Sequence, residues 1–142
     1  MQGMNVDEII AKVKSLSFPA GAFVVFGSAP MALAGLREAQ DIDLLVSESL
    51  FQQCKEHGWK ELYKSEKDRP LVKDDFEAHH DWDFSSYHPT LEQLLTRAVI
   101  IDGVPFASLQ DVRSWKEASG RPKDLADIEL IDQMKPDVNT SV

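Results

Sequence analysis

An apolar run, Phe23-Val24-Val25-Phe26, stops at Gly27-Ser28, and a second run, Leu44-Leu45-Val46, follows the triplet Asp41-Ile42-Asp43. Short runs of β-branched, aromatic and aliphatic residues closed by turn formers read as buried strands. Helical segments are interleaved with these strands along the chain, which places it among the α/β or α+β folds. The apolar setting also isolates the two aspartates. On a strand alternate side chains share a face, so Asp41 and Asp43 point the same way with Cα atoms roughly 6–7 Å apart, while Ile42, Leu44 and Val46 face the core.

The remaining segments supply the helices. Val6, Ile9, Ile10, Val13 and Leu16 recur at helical spacing behind Asn5, a residue suited to cap the N-terminus, so Asn5 to Leu16 reads as an amphipathic helix ended by Pro19 and Gly21. Pro30 suits the first turn of a short helix that runs to Gly35. Ser49 to His57 reads as a helix with Ser49 and Gln52 in capping-box positions and Gly58 past its end. Trp59 to Tyr63 reads as a strand, the charged stretch Lys64 to Glu77 as a loop or hairpin, and Ala78 to Ser85 as a strand with a turn at His88-Pro89. Thr90 and Gln93 cap a helix to Ala98. Asp102-Gly103 between Val99-Ile100-Ile101 and Val104-Pro105-Phe106 is a type I′ hairpin signal. Ser108 caps a helix ending at Gly120, and Pro122 starts a last helix that runs to about Met134.

The chain has 142 residues, enough for one domain with a real core and little more. No linker or repeat divides it, so one domain is expected over 1–142, with its core over about 20–134 and a polar, frayed tail over 136–142. Fifteen basic residues stand against 24 acidic ones, a net charge of −9. That charge disfavours bulk binding to nucleic acid, but it leaves room for a local basic pocket. The single cysteine, Cys54, excludes an internal disulfide and reads as a small half-buried helix residue. No run of about 18 apolar residues is present. The N-terminal segment has acids among its apolar residues rather than a signal-peptide core, so a cytoplasmic location is expected and no membrane partner.

Acid-x-acid pairs are common in an acidic chain. Glu66/Asp68, Asp75/Glu77, Asp81/Asp83 and Asp127/Glu129 are others here, and each has a plain reading as a solvated face. Asp41/Asp43 differs in its setting. Two carboxylates on an apolar strand are costly without a counter-charge, and a divalent cation with hard oxygen ligands, such as Mg²⁺, supplies one. The preceding Gly27-Ser28 turn leads from strand to helix, where backbone N–H groups and a hydroxyl can meet phosphate. Its plain reading is an ordinary strand-to-helix turn.

The stretch from Gly27-Ser28 through Gly35-Leu36-Arg37 to Asp41-Ile42-Asp43-Leu44 resembles the signature of the DNA polymerase β-like nucleotidyltransferase superfamily, in its minimal and abortive-infection toxin-like branch. The stretch Lys116 to Ile128, with Arg121-Pro122-Lys123-Asp124-Leu125-Ala126-Asp127, is similar to the lysine helix and Arg-x-(Arg/Lys)-Asp-x-x-Asp pattern of that branch. The resemblance covers roughly Phe23 to Leu130 with a poorly matched middle. It implies a nucleotidyltransferase-like mixed β-sheet flanked by helices and two Mg²⁺ ions on Asp41, Asp43 and a third carboxylate. Asp83, between Trp82 and Phe84, fits the third position best, and Asp81 is the alternative. Gly27 and Ser28 would hold the triphosphate of an NTP such as ATP. Lys116, Lys123 and Arg37 would contact phosphate or acceptor, although each also fits a plain helix-end charge. The implied activity is transfer of a nucleoside monophosphate to an unknown acceptor hydroxyl.

Other readings compete. The fold could persist without the chemistry, as a nucleotide-binding or protein-binding module such as a toxin–antitoxin component with a protein partner. The cluster His79, His80, Asp81, Asp83 and His88 could form a metal site of the phosphohydrolase kind, but those enzymes are all-helical and need further upstream histidines. The bland account is a soluble α/β domain with an unrelated role.

Overall fold

The computed structural model describes residues 3–66, 68–80 and 87–133. Among them are six helices and seven strands in one mixed sheet. The helices are α1 (Val6–Ser15), α2 (Ala29–Leu33), α3 (Glu48–Glu56), α4 (Leu91–Arg97), α5 (Leu109–Ser119) and α6 (Pro122–Gln133). The strands are β1 (Phe23–Phe26), β2 (Ile42–Val46), β3 (Lys60–Glu61), β4 (Leu71–Lys73), β5 (Phe76–His79), β6 (Val99–Ile101) and β7 (Val104–Phe106), in the order β3-β4-β5-β2-β1-β7-β6. The expected mixed sheet flanked by helices is present.

The two central strands are the two apolar runs, and both of their faces are covered. One face buries Val25, Ile42, Leu44 and Val46 against Ile9 and Val13 of α1 and Leu50, Phe51 and Cys54 of α3. The other buries Val24, Phe26 and Leu45 against Leu94 of α4, Val112 and Trp115 of α5 and Ile131 of α6. Ile42, Leu44 and Val46 therefore lie together, as the alternation requires, and Asp43 lies on the opposite face with Leu45.

Local chemistry sets most of the element ends. Asn5 and Glu8 form a capping box on α1, and Thr90 and Gln93 form one on α4. Ser108 accepts from the Asp111 N–H to open α5, and Gly120 closes it in the left-handed region at φ +68°. Asp102 and Gly103 both have positive φ, 54° and 82°, as a type I′ turn requires. The start of α3 differs from the expectation. Ser47 is the cap, accepting from the Leu50 N–H, and Ser49 sits inside the first turn. Ser47 leaves β2 in an extended conformation with its own N–H bonded to the Ala22 carbonyl, so the strand hands the chain directly to the helix.

Between residues 64 and 79, where a loop or hairpin is expected, a hairpin is present and only the start of β5 differs. This charged stretch is the β4–β5 hairpin, turned at Asp74 with φ +53°. Lys73 pairs with Phe76 across the turn, so β5 starts two residues earlier than the Ala78 expected from alternation. The Trp59 to Tyr63 strand shortens to Lys60–Glu61 at the sheet edge. Asp81, Asp83 and the tail after Pro136 lie outside the described residues.

Candidate metal centre and cleft

β1 and β2 run antiparallel with Phe26 opposite Asp43, so the chain leaving β1 passes beside that carboxylate. Gly27 has φ +72°, and a Cβ there would lie 3.0 Å from Asp43 Cγ and 3.1 Å from Asp43 Cβ. Both facts call for glycine: the conformation disfavours any side chain, and the space is filled by Asp43. Ser28 follows at the start of α2, where its side chain makes no capping hydrogen bond.

On its other side β2 runs parallel to β5, with Asp43 opposite Glu77 and Leu45 opposite His79. Opposed residues share a face and alternate residues return to it, so Asp43, Glu77 and His79 project together. One ligand atom from each lies within 4.8 Å of the others, and all three residues are half-buried. This group could hold a metal ion. Asp41, one residue before β2, lines the same cleft and raises the pKa of Asp43, but it stands outside this close group.

The electrostatics of the three are unequal. Burial pushes Asp43 up to about 6, opposed by His79 and Lys64 and reinforced by Glu77 and Asp41. Among the described residues no donor holds its carboxylate through a hydrogen bond or ion pair. Glu77 is the reverse case: bonding to His79 and Lys64 outweighs burial and brings it down to about 2. Lys64 Nζ lies 2.8 Å from Glu77 Oε1. His79 Nε2 lies 3.6 Å from the same oxygen, and its Nδ1 lies 3.8 Å from Asp68 Oδ1. Asp43 is thus a buried charge short of a counter-charge, and Gly27 leaves it room. The donors suit a divalent cation, with two carboxylates to offset its charge.

The group opens into a cleft of about 750 Å³ whose wall includes Lys64, Arg69, Arg121 and Lys123. The negative charges of Asp43 and Asp68 raise the pKa of Arg121, after its hydrogen bond to Asp124. The loop between α5 and α6 therefore faces the strand pair, so the two sequence motifs meet at one cleft. Cations and carboxylates both line this cleft, an arrangement fit to seat a polyanion beside a metal ion.

Lys116 and Arg37 are placed differently. Lys116 is 3 % exposed, with Nζ 2.9 Å from Asp127 Oδ2 and 3.4 Å from Asp124 Oδ1. Arg37 bonds both Asp127 oxygens at 2.9 and 3.0 Å. Arg121 bonds both Asp124 oxygens at 2.7 and 3.2 Å. These pairs lock α6 to α5 and to the segment before β2. Within the motif, Arg121 and Lys123 reach the cleft wall.

The sequence joins neither Glu77 nor His79 to Asp43: Glu77 reads there as part of a solvated acid pair with Asp75, and His79 as part of the His79–His88 cluster. Glu77 sits between Phe76 and Ala78, the same apolar-acid-apolar signature that singled out Asp83. It was obscured by the charged, proline-containing stretch before it. No protein-family model matches the chain, and neither a curated protein nor a solved structure does.

Proposed function

We propose that this chain is a divalent-cation-dependent, nucleotidyltransferase-like protein. It would move a nucleoside monophosphate from an NTP, ATP foremost, to the hydroxyl of an acceptor whose identity is open. One observation carries the reading: Asp43 and Glu77 sit opposite each other on parallel strands beside the Gly27-Ser28 turn, and Arg121 and Lys123 share their cleft. Asp43 and Glu77 would hold the cation, with Asp41 within reach of a second one. When bound, Mg²⁺ or a similar ion polarises the α-phosphoryl oxygens and offsets charge on the leaving pyrophosphate. Arg121 and Lys123 would fix the triphosphate, and Gly27 leaves the Asp43 carboxylate its place beside the turn. The acceptor oxygen forms a bond to the α-phosphorus, the bond from that phosphorus to the β-phosphate bridging oxygen breaks, and the hydroxyl proton passes to a cleft carboxylate.

One observation favours the second reading, a fold retained for binding alone: the Lys64 ammonium already offsets Glu77. Thermal unfolding with Mg²⁺ and a non-hydrolysable ATP analogue separates the two. The proposed enzyme is stabilised by metal and nucleotide together, and both Asp41→Asn and Asp43→Asn lose that gain. No gain in the wild-type chain leaves the binding module, whose ligand is then a protein partner.

A further inference from the structure

We propose that Asp43, Glu77 and His79 form a mixed oxygen–nitrogen centre for a first-row transition dication, with His79 Nε2 as a ligand and manganese(II) as a competent ion. The inference rests on the cation-centre part of the reading above and is independent of the transfer chemistry.

The donor set is the first ground. Two carboxylates and one imidazole offer ligand atoms within 4.8 Å of one another. Magnesium favours an all-oxygen shell and keeps several waters, whereas imidazole suits transition ions. Three protein donors from one side of the sheet leave the remaining positions for water or a substrate oxygen.

The setting of the histidine is the second ground. Its two ring nitrogens face opposite ways in function. Nε2 lies 3.6 Å from Glu77 Oε1, toward the centre, and Nδ1 lies 3.8 Å from Asp68 Oδ1, away from it. A carboxylate behind the non-ligating nitrogen fixes the ring and its tautomer and strengthens the nitrogen that binds metal. Asp68 lies on that side of the ring; at 3.8 Å it is beyond hydrogen-bond distance and acts on the imidazole through its charge. Its loop is tied back on itself, with Asp68 N–H donating to the Ser65 carbonyl and its own carbonyl accepting from the N–H groups of Lys64 and Ser65.

Rigidity is the third ground. All three donors come from two adjacent strands in fixed register, rather than from loops, which holds a site close to its working geometry. Lys64 is the group that must yield. It reaches Glu77 on a flexible stem and its side chain is 40 % exposed, so it can retreat to water when a cation arrives.

Any oxygen site favours Mn²⁺ over Mg²⁺ to some degree, so affinity alone does not decide. The test is electron spin-echo spectroscopy of Mn²⁺ bound to the full chain after removal of metals by a chelator. Nitrogen modulation is expected in the wild-type chain and absent in His79→Gln, whose Mn²⁺ affinity falls about ten-fold. Mg²⁺ affinity should change less than Mn²⁺ affinity in that variant. The wild-type nitrogen modulation is read without any variant, which keeps the proposal testable if His79→Gln does not fold. Bound Mn²⁺ without nitrogen modulation, or equal Mn²⁺ affinity in wild type and His79→Gln, overturns the centre. A nitrogen-coordinated Mn²⁺ with no effect of nucleotide on stability supports this centre and refutes only the transferase reading.

Discussion

Replacing Gly27 with alanine changes no ligand atom, yet it should weaken cation binding tenfold or more. The substitution has two separable effects. At φ +72° a side chain in the left-handed region costs roughly 1–2 kcal/mol. The new Cβ would also meet Asp43 Cγ at 3.0 Å and Asp43 Cβ at 3.1 Å. Rotation of the carboxylate cannot relieve the second contact, because Cβ is fixed to the strand. Asp43 and β2 must therefore move away from the turn by a few tenths of an ångström. Gly35→Ala is the matched control: its φ is +77° and nothing lies within 4 Å of a Cβ built there. Both variants should lose roughly 3–8 °C in Tm from the backbone cost in a chain of this size. Cation at a hundredfold its Kd adds about 2.7 kcal/mol to the stability of a binding-competent fold, and only about 1.4 kcal/mol after a tenfold loss of affinity. The metal-dependent rise in Tm should thus survive in Gly35→Ala and fall by half or more in Gly27→Ala. Equal metal-dependent rises in the two variants would refute the claim that the turn and the Asp43 carboxylate form one site.

Two further outcomes follow from the charges. Asp127→Ala leaves Lys116, 3 % exposed, with Asp124 as its remaining partner at 3.4 Å; the loss should be about 3 kcal/mol in urea unfolding, and a loss under about 1 kcal/mol would show that the cluster does not hold α6. Asp43 has its pKa raised by burial from 3.8 to about 6, so its favourable contribution to the metal-free fold is complete below pH about 4 and is lost as pH rises through about 6. Asp43→Asn should accordingly gain in Tm relative to wild type between those values, while cation binding to the wild-type chain weakens below pH 6 as the proton competes. A pH-independent difference between the two proteins contradicts this assignment.

The sequence was most legible where a residue acts on its immediate neighbours. The caps at Asn5, Thr90 and Ser108, the left-handed stop at Gly120 and the Asp102-Gly103 turn are local chemistry, and each sits as read. The two apolar strands were equally plain, and with them the placing of Asp43 beside Gly27. Strand pairing was not legible. Asp43 meets Glu77 because β5 lies parallel to β2 in one register, and no spacing within either segment encodes that meeting. In the stretch read as a loop or hairpin, the start of β5 was hidden for a related reason: Val72 and Lys73 gain a partner in Glu77 and Phe76, so tertiary pairing overrides a weak local preference. Lys116 shows the converse error of reading charge as exposure. Its position matched a phosphate contact, yet Asp124 and Asp127 arrive one and two helical turns beyond Gly120 to enclose it.

The bend at Asp74 has a reach beyond its own hairpin. Its length sets the phase of β5, since Lys73 and Phe76 are the first pair across it. A single extra residue in that bend, if β5 slid past β2 by one position, would invert the strand's two sides. Phe76, Ala78 and His80 would then face the cleft, and Glu77 and His79 would be pressed into the apolar layer beneath. Insertions and deletions at this one exposed corner therefore act as a toggle on the whole centre, able to silence it while every ligand stays intact in the sequence.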